Sequence, residues 1–211
     1  MYRKTTALVV LLCIVIGCAH RVEINQSPAG SEDFLPSEVG IRIPAVVKFS
    51  ALRVNGMEIE PDTEFLNFVL QKVQGTHVFL AVSTPEESGN LPMRKKAVRL
   101  ALSVNGTMEI NQATNWLKLA ANCATLFLFS SEILYKDSFD VTMLLKAVRY
   151  DEEEKNYRSR IKGATYYRMF GGEAARKAAR QEVVTKLLNS LMRQVMGDIA
   201  FFAMDESPEQ L

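Results

Sequence analysis

The sequence predicts an α/β fold: a two-layer sandwich in which a mixed, mostly antiparallel sheet carries one short and one long helix on one face. Three observations predict it. Short runs of period-two hydrophobicity recur between residues 41 and 167. A helical stripe opening on Pro61-Asp62 follows the first of these runs. From Gly172 the period lengthens to that of a helix and holds to Ile199.

The elements follow in chain order. In "IRIPAVVKFSALRV", Ile41, Ile43, Ala45, Val47, Phe49 and Ala51 alternate with polar residues, which predicts a strand. Pro44 cannot donate to a ladder and suits an edge or bulge. Asn55-Gly56 signals a turn. Proline and acids then suit a helix start, with Phe65, Phe68, Val69 and Val73 as the buried stripe and Gly75 as the stop. "THVFLAVS" reads as a short strand and "TPEESGNLP" as a loop. "KAVRLALSVNG" is another strand, with Asn105-Gly106 expected as a tight turn. "SFDVTMLLKAVRY" and "YRSRIKGATYYRM" flank Asp151-Glu152-Glu153-Glu154, an antiparallel hairpin around a solvated tip. That acid run lacks the glycine and alternate spacing of a calcium loop.

In the long helix, Ala175, Ala179, Val183, Leu187, Leu191, Val195 and Ile199 form one stripe, widened by Val184, Leu188 and Met192. Such a stripe is a covering layer for the sheet. The stretch 115–134, "NWLKLAANCATLFLFSSEIL", is more ambiguous. It reads either as a helical turn leading into a buried strand or as an apolar protrusion, with Trp116, Phe127 and Phe129 as candidate partner contacts.

The start of the chain carries a different signal. Arg3 and Lys4 precede an uncharged apolar run at 7–16. That run is too short to span a bilayer, which takes roughly 20 apolar residues, and it matches a secretory signal. The run ends in Val15-Ile16-Gly17-Cys18, which resembles a bacterial lipobox: an aliphatic residue, a small or aliphatic one, Gly or Ala, then Cys. The resemblance covers only this segment. It implies diacylglyceryl transfer to the Cys18 sulfur, cleavage before Cys18 and acylation of the freed amine, with palmitate as a label. Ala19, at the position after the lipidated cysteine, implies sorting to the outer membrane, periplasmic side, in enterobacterial-type lipoproteins. Aspartate there would favour the alternative, the inner membrane.

The predicted organisation is therefore a signal peptide at 1–17, a lipidated tether at 18–40, a single α/β domain at 41–204 and a polar tail at 205–211. The tether reading rests on Pro28, Gly30, Pro36 and Gly40 and on the lack of apolar periodicity. The element order loosely resembles that of lipopolysaccharide-assembly and curli-secretion lipoproteins, but no residue motif accompanies the likeness and no site is carried over.

Charge and chemistry narrow the function. Of 25 Lys and Arg, removal of 1–17 takes two and leaves 23 against 24 acids, a balance of −1. Nothing in that balance favours nucleic acid. Cys13 goes with the signal and Cys18 takes the lipid, so Cys123 is left without an intramolecular disulfide partner. Beyond the signal the histidines are His20 and His77, neither in a metal-ligand or nucleophile arrangement. Gly171-Gly172 lacks the Lys-Ser pair of a phosphate loop and reads as a turn into the helix. The expectation is a non-catalytic binding or assembly accessory of the envelope. It would have no cofactor or metal, and its partners would be the membrane, through its lipid, and another protein. The alternative is an envelope-polymer hydrolase using carboxylates such as Asp62 and Glu64.

Overall fold

The structure, a computed structural model, describes residues 20–32, 41, 43–90, 96–110, 115–118, 120–121, 134–168 and 172–202. Its strands are β1 (His20–Gln26), β2 (Ala45–Val54), β3 (Met57–Glu58), β4 (Val82–Ser83), β5 (Val98–Ile110), β6 (Tyr135–Val148) and β7 (Glu154–Tyr167). The helices are α1 (Thr63–Gly75), α2 (Gly172–Gly197) and α3 (Ile199–Phe202). One mixed sheet runs in the order β1-β7-β6-β5-β2-β3, with β4 pairing β2 off that path. β2 is parallel to β5 and β4, while β2–β3 and β1–β7 are antiparallel. The predicted α/β sandwich is the observed class. Contacts cluster the chain into two compact units, and β5, β6, β7 and α2 contribute residues to both.

The first unit comprises residues 1–27, 107–141 and 161–183. Here the tether expectation is corrected: residues 20–26 are strand β1, in register with β7 from His20 opposite Tyr167 to Gln26 opposite Lys162. None of its side chains is buried, so the backbone ladder holds it. An edge strand with one neighbour needs no apolar alternation, which is why periodicity missed it. Gly163 in β7 lets it approach: a Cβ there would overlap the Glu23 carbonyl oxygen and stand 2.6 Å from Phe139 Cζ. Ala175, Ala179 and Val183 of α2 are buried, as the stripe predicts.

The second unit comprises residues 28–106, 142–160 and 184–211. Residues 28–32 are again not free tether, because Ser190 Oγ donates to the Ala29 carbonyl at 2.8 Å and Asn189 Nδ2 to the Glu32 carbonyl at 3.2 Å. In β2, Ala45 and Val47 are buried, but a bulge between Phe49 and Ala51 ends the alternation. Asn55 and Gly56 both have positive φ, 52° and 80°, the two-residue turn that joins β2 to β3.

Asp62 caps α1 by accepting from the Phe65 N–H at 2.7 Å, and Phe65, Val69 and Val73 are buried while Phe68 is half-buried. The strand expected at 76–83 is reduced to β4 and an isolated bridge between Phe79 and Ile41. Left-handed backbone at His77, φ 51°, precludes an extended run from its start.

Asn105-Gly106 is not a turn either. β5 continues through it, with buried Gly106 opposite Val54 and accepting from the Asn55 N–H at 2.9 Å. The turn falls instead on the neighbouring strand. β6 and β7 are joined by five residues closed by the Arg149 N–H to Glu153 carbonyl bond, the predicted hairpin. Leu187, Leu188, Leu191, Met192 and Val195 of α2 are fully buried, whereas Ile199 is 39% exposed because the helix breaks at Asp198 and the stripe loses phase.

Candidate functional site

Three clusters of side chains have geometry that can do chemistry or make contacts. In the first unit, Asp137 of β6 is 1% exposed. It accepts from Tyr167 Oη at 3.1 Å and from Arg176 Nε at 2.9 Å, while Arg176 Nη2 donates to Tyr167 Oη at 3.1 Å. The guanidinium also lies over the Tyr167 ring, 5.5 Å from its centroid. Burial, and then the Asp137 charge, push the Tyr167 hydroxyl pKa up. Burial pulls Arg176 down, but its hydrogen bond to Asp137 and that carboxylate's charge more than offset this. Both carboxylate oxygens are engaged, so the triad is a strut tying α2 to β6 and β7. It was missed in the sequence, although Asp137 between Tyr135 and Phe139 shares their core-facing parity, a signal for a buried partner on the helix.

One end of the same unit collects exposed apolar and basic groups. His20 begins β1 opposite Tyr167, and the Tyr135 and Tyr167 rings stack at 5.8 Å. Leu134, 45% exposed, immediately precedes Tyr135, and its carbonyl accepts from Lys118 Nζ at 2.5 Å. Residues 115–118 are helical, and Trp116 and Leu117 are 68% and 72% exposed. Lys136 Nζ lies 5.6 Å from the Tyr166 ring centroid. Of the predicted site residues, Trp116 is thus on the surface, while Cys18, Ala19, Phe127 and Phe129, like Cys123, lie outside the described residues.

In the second unit the acid run at the hairpin tip is exposed but paired. Arg149 bonds to Asp151 and lies 2.9 Å from Glu153, and Arg99 Nη2 reaches both oxygens of Glu152 at 2.6 Å. Arg149 also donates to the Phe201 carbonyl at 2.9 Å and covers the Phe201 ring at 5.6 Å. The Arg149 hydrogen bond is the main reason the Asp151 carboxyl falls to about 2, and Asp151 in turn raises Arg149.

The buried Tyr157 hydroxyl has no hydrogen bond of good geometry, yet burial and then the Asp198 carboxylate raise its pKa. Beside the tip lies a shallow groove of about 360 Å³, lined by Val46, Pro85, Ser88, Ala97, Arg99, Tyr150 and Glu152. The Arg99–Glu152 pair can exchange: a ligand carboxylate or phosphate could replace Glu152 on the guanidinium. Asp62, one of the carboxylates considered for hydrolysis, is instead the cap of α1.

Among the described residues no helix is long and apolar enough to cross a membrane. No family model matches the chain, and no curated protein does. Among solved structures the chain is similar to a homolog of neuraminyllactose-binding hemagglutinin from Helicobacter pylori, with 11% identity, 80% of this chain and 98% of that one covered, and a TM-score of 0.43. It is also similar to a PelC dodecamer from Paraburkholderia phytofirmans, with 13% identity, 82% and 98% covered, and a TM-score of 0.34.

Proposed function

We propose that this chain is a lipid-anchored envelope protein, held on the periplasmic side of the outer membrane through Cys18, that acts by binding. The observation that carries the reading is Val15-Ile16-Gly17-Cys18 at the end of a basic-then-apolar leader. Two or three acyl chains on such a cysteine would hold the protein durably, since each buried methylene contributes about 0.8 kcal/mol. The binding role draws support from the second-unit groove, where Tyr150 is 44% exposed beside the exchangeable Arg99–Glu152 pair. A partner presenting a carboxylate or phosphate next to an apolar group fits that chemistry.

The experiment is cross-linking in intact cells followed by membrane fractionation, for the parent, Ala19→Asp and Arg99→Glu. The reading expects the parent in outer-membrane fractions with a cross-linked partner. Ala19→Asp should move to the inner membrane, and Arg99→Glu should keep its location and lose the partner. A parent found in soluble fractions would refute the anchor. A partner retained by Arg99→Glu would refute the groove.

A further inference from the structure

We infer that the strand-end face of the first unit, carrying Trp116, Leu117 and Leu134, docks on the phospholipid surface to which Cys18 is attached; this rests on the lipid anchor proposed above. Only Ala19 separates Cys18 from His20, where β1 starts. Two trans peptide units span less than about 8 Å, so a lipid on Cys18 has no slack with which to stand the domain away from the membrane.

The end of the unit so held is then defined by pairing. His20 lies opposite Tyr167, Tyr167 stacks on Tyr135, and Leu134 precedes Tyr135. Neighbouring strands are spaced by about 4.8 Å, so the start of β6 lies about 10 Å from the start of β1. Lys118 ties the helical turn 115–118 to that point through the Leu134 carbonyl. That bond brings the turn bearing Trp116 and Leu117 to the end of the unit at which β1 starts.

The composition of this face suits a bilayer surface. Among the described residues, Trp116 and Leu117 are the two most exposed of the large apolar side chains, at 68% and 72%. Tryptophan favours the headgroup level, where its ring is apolar and its N–H can stay wet. Lys118 Nζ donates to the Leu134 carbonyl, and Lys136 and Arg21 are each the second residue of their strand at this end, Arg21 lying 3.8 Å from Glu23. Exposed apolar groups at a strand end that also carries bases complement anionic headgroups over acyl chains. A tether of twenty or so residues would make such a patch irrelevant to the membrane; β1 removes that tether.

Trp116 is the single tryptophan of the chain, so its emission reports on this face alone. The lipidated full-length protein is reconstituted into phosphatidylethanolamine–phosphatidylglycerol vesicles, with and without brominated acyl chains, and palmitate on Cys18 is verified in the same sample. Docking predicts blue-shifted emission that loses most of its intensity in the brominated vesicles. With Cys18 labelled, red, unquenched emission open to aqueous iodide would overturn the docking and leave the anchor standing. Blue-shifted but unquenched emission would also overturn it, by showing that protein and not lipid covers the face. A chain that takes no palmitate on Cys18 overturns both.

Discussion

Two arginine–aspartate pairs in this protein have nearly the same chemistry and opposite settings. Arg176–Asp137 in the first unit holds a carboxylate that is 1% exposed, and Arg149–Asp151 in the second holds one that is 35% exposed. Each arginine also covers an aromatic ring, Tyr167 in one case and Phe201 in the other. The buried carboxylate depends on its partners, since an uncompensated charge there has no water to turn to. The exposed one can be solvated when its partner leaves, so its pairing organises the tip while contributing little to stability.

That contrast can be pushed until it breaks. Leu187→Asp gives α2 a carboxylate as buried as Asp137 but with no partner; it should cost about 4 kcal/mol or more, or prevent folding, in chemical denaturation. Arg176→Met keeps the packing and strands Asp137 with Tyr167 alone; the expected loss is about 3 kcal/mol. Tyr167→Phe removes one hydrogen bond to the same carboxylate and should cost about 1–2 kcal/mol. Asp151→Asn, which removes the charge of the exposed carboxylate and leaves Arg149 its Glu153 and Phe201 partners, should have the smallest effect of the four. If Asp151→Asn proved as damaging as Arg176→Met, carboxylate burial would not be what separates the two pairs.

Acid titration sharpens the same point. Arg149 depresses the Asp151 carboxyl from its ordinary 3.8 to about 2. A depressed carboxylate contributes stability above its unfolded pKa and loses it as pH falls through the folded value. The melting-temperature difference between the parent and Asp151→Asn should therefore be small and constant above about pH 4, then shrink towards zero near pH 2. A difference that grew on acidification would reverse the assigned sign.

Much of the fold was readable because burial enforces pattern. α1, the β6–β7 hairpin and most of α2 follow from residues whose parity or stripe meets the core, such as Phe65, Met143, Leu145 and Leu191. β1 was not readable, because an edge strand satisfied by backbone pairing leaves no apolar signature in "HRVEINQ". Gly106 misled for the opposite reason. It is a buried residue inside β5, opposite Val54, while the turn falls at Asn55-Gly56, and a dipeptide alone does not separate those uses. At the candidate sites, Trp116 stood out in the sequence as the single tryptophan. The Arg99–Glu152 pair could not, because its members are 53 positions apart and meet only through the sheet.

The proposed lipid on Cys18, two residues before the start of β1, is what this domain would hang from. Metabolic labelling with palmitate in the native host, comparing the parent with Cys18→Ser, tests it most directly. A lipid on Cys18 requires label on the parent at the mass of a chain lacking 1–17, with Cys18→Ser unlabelled and accumulating as full-length precursor. Equal labelling of both proteins, or a parent processed without label, would contradict it.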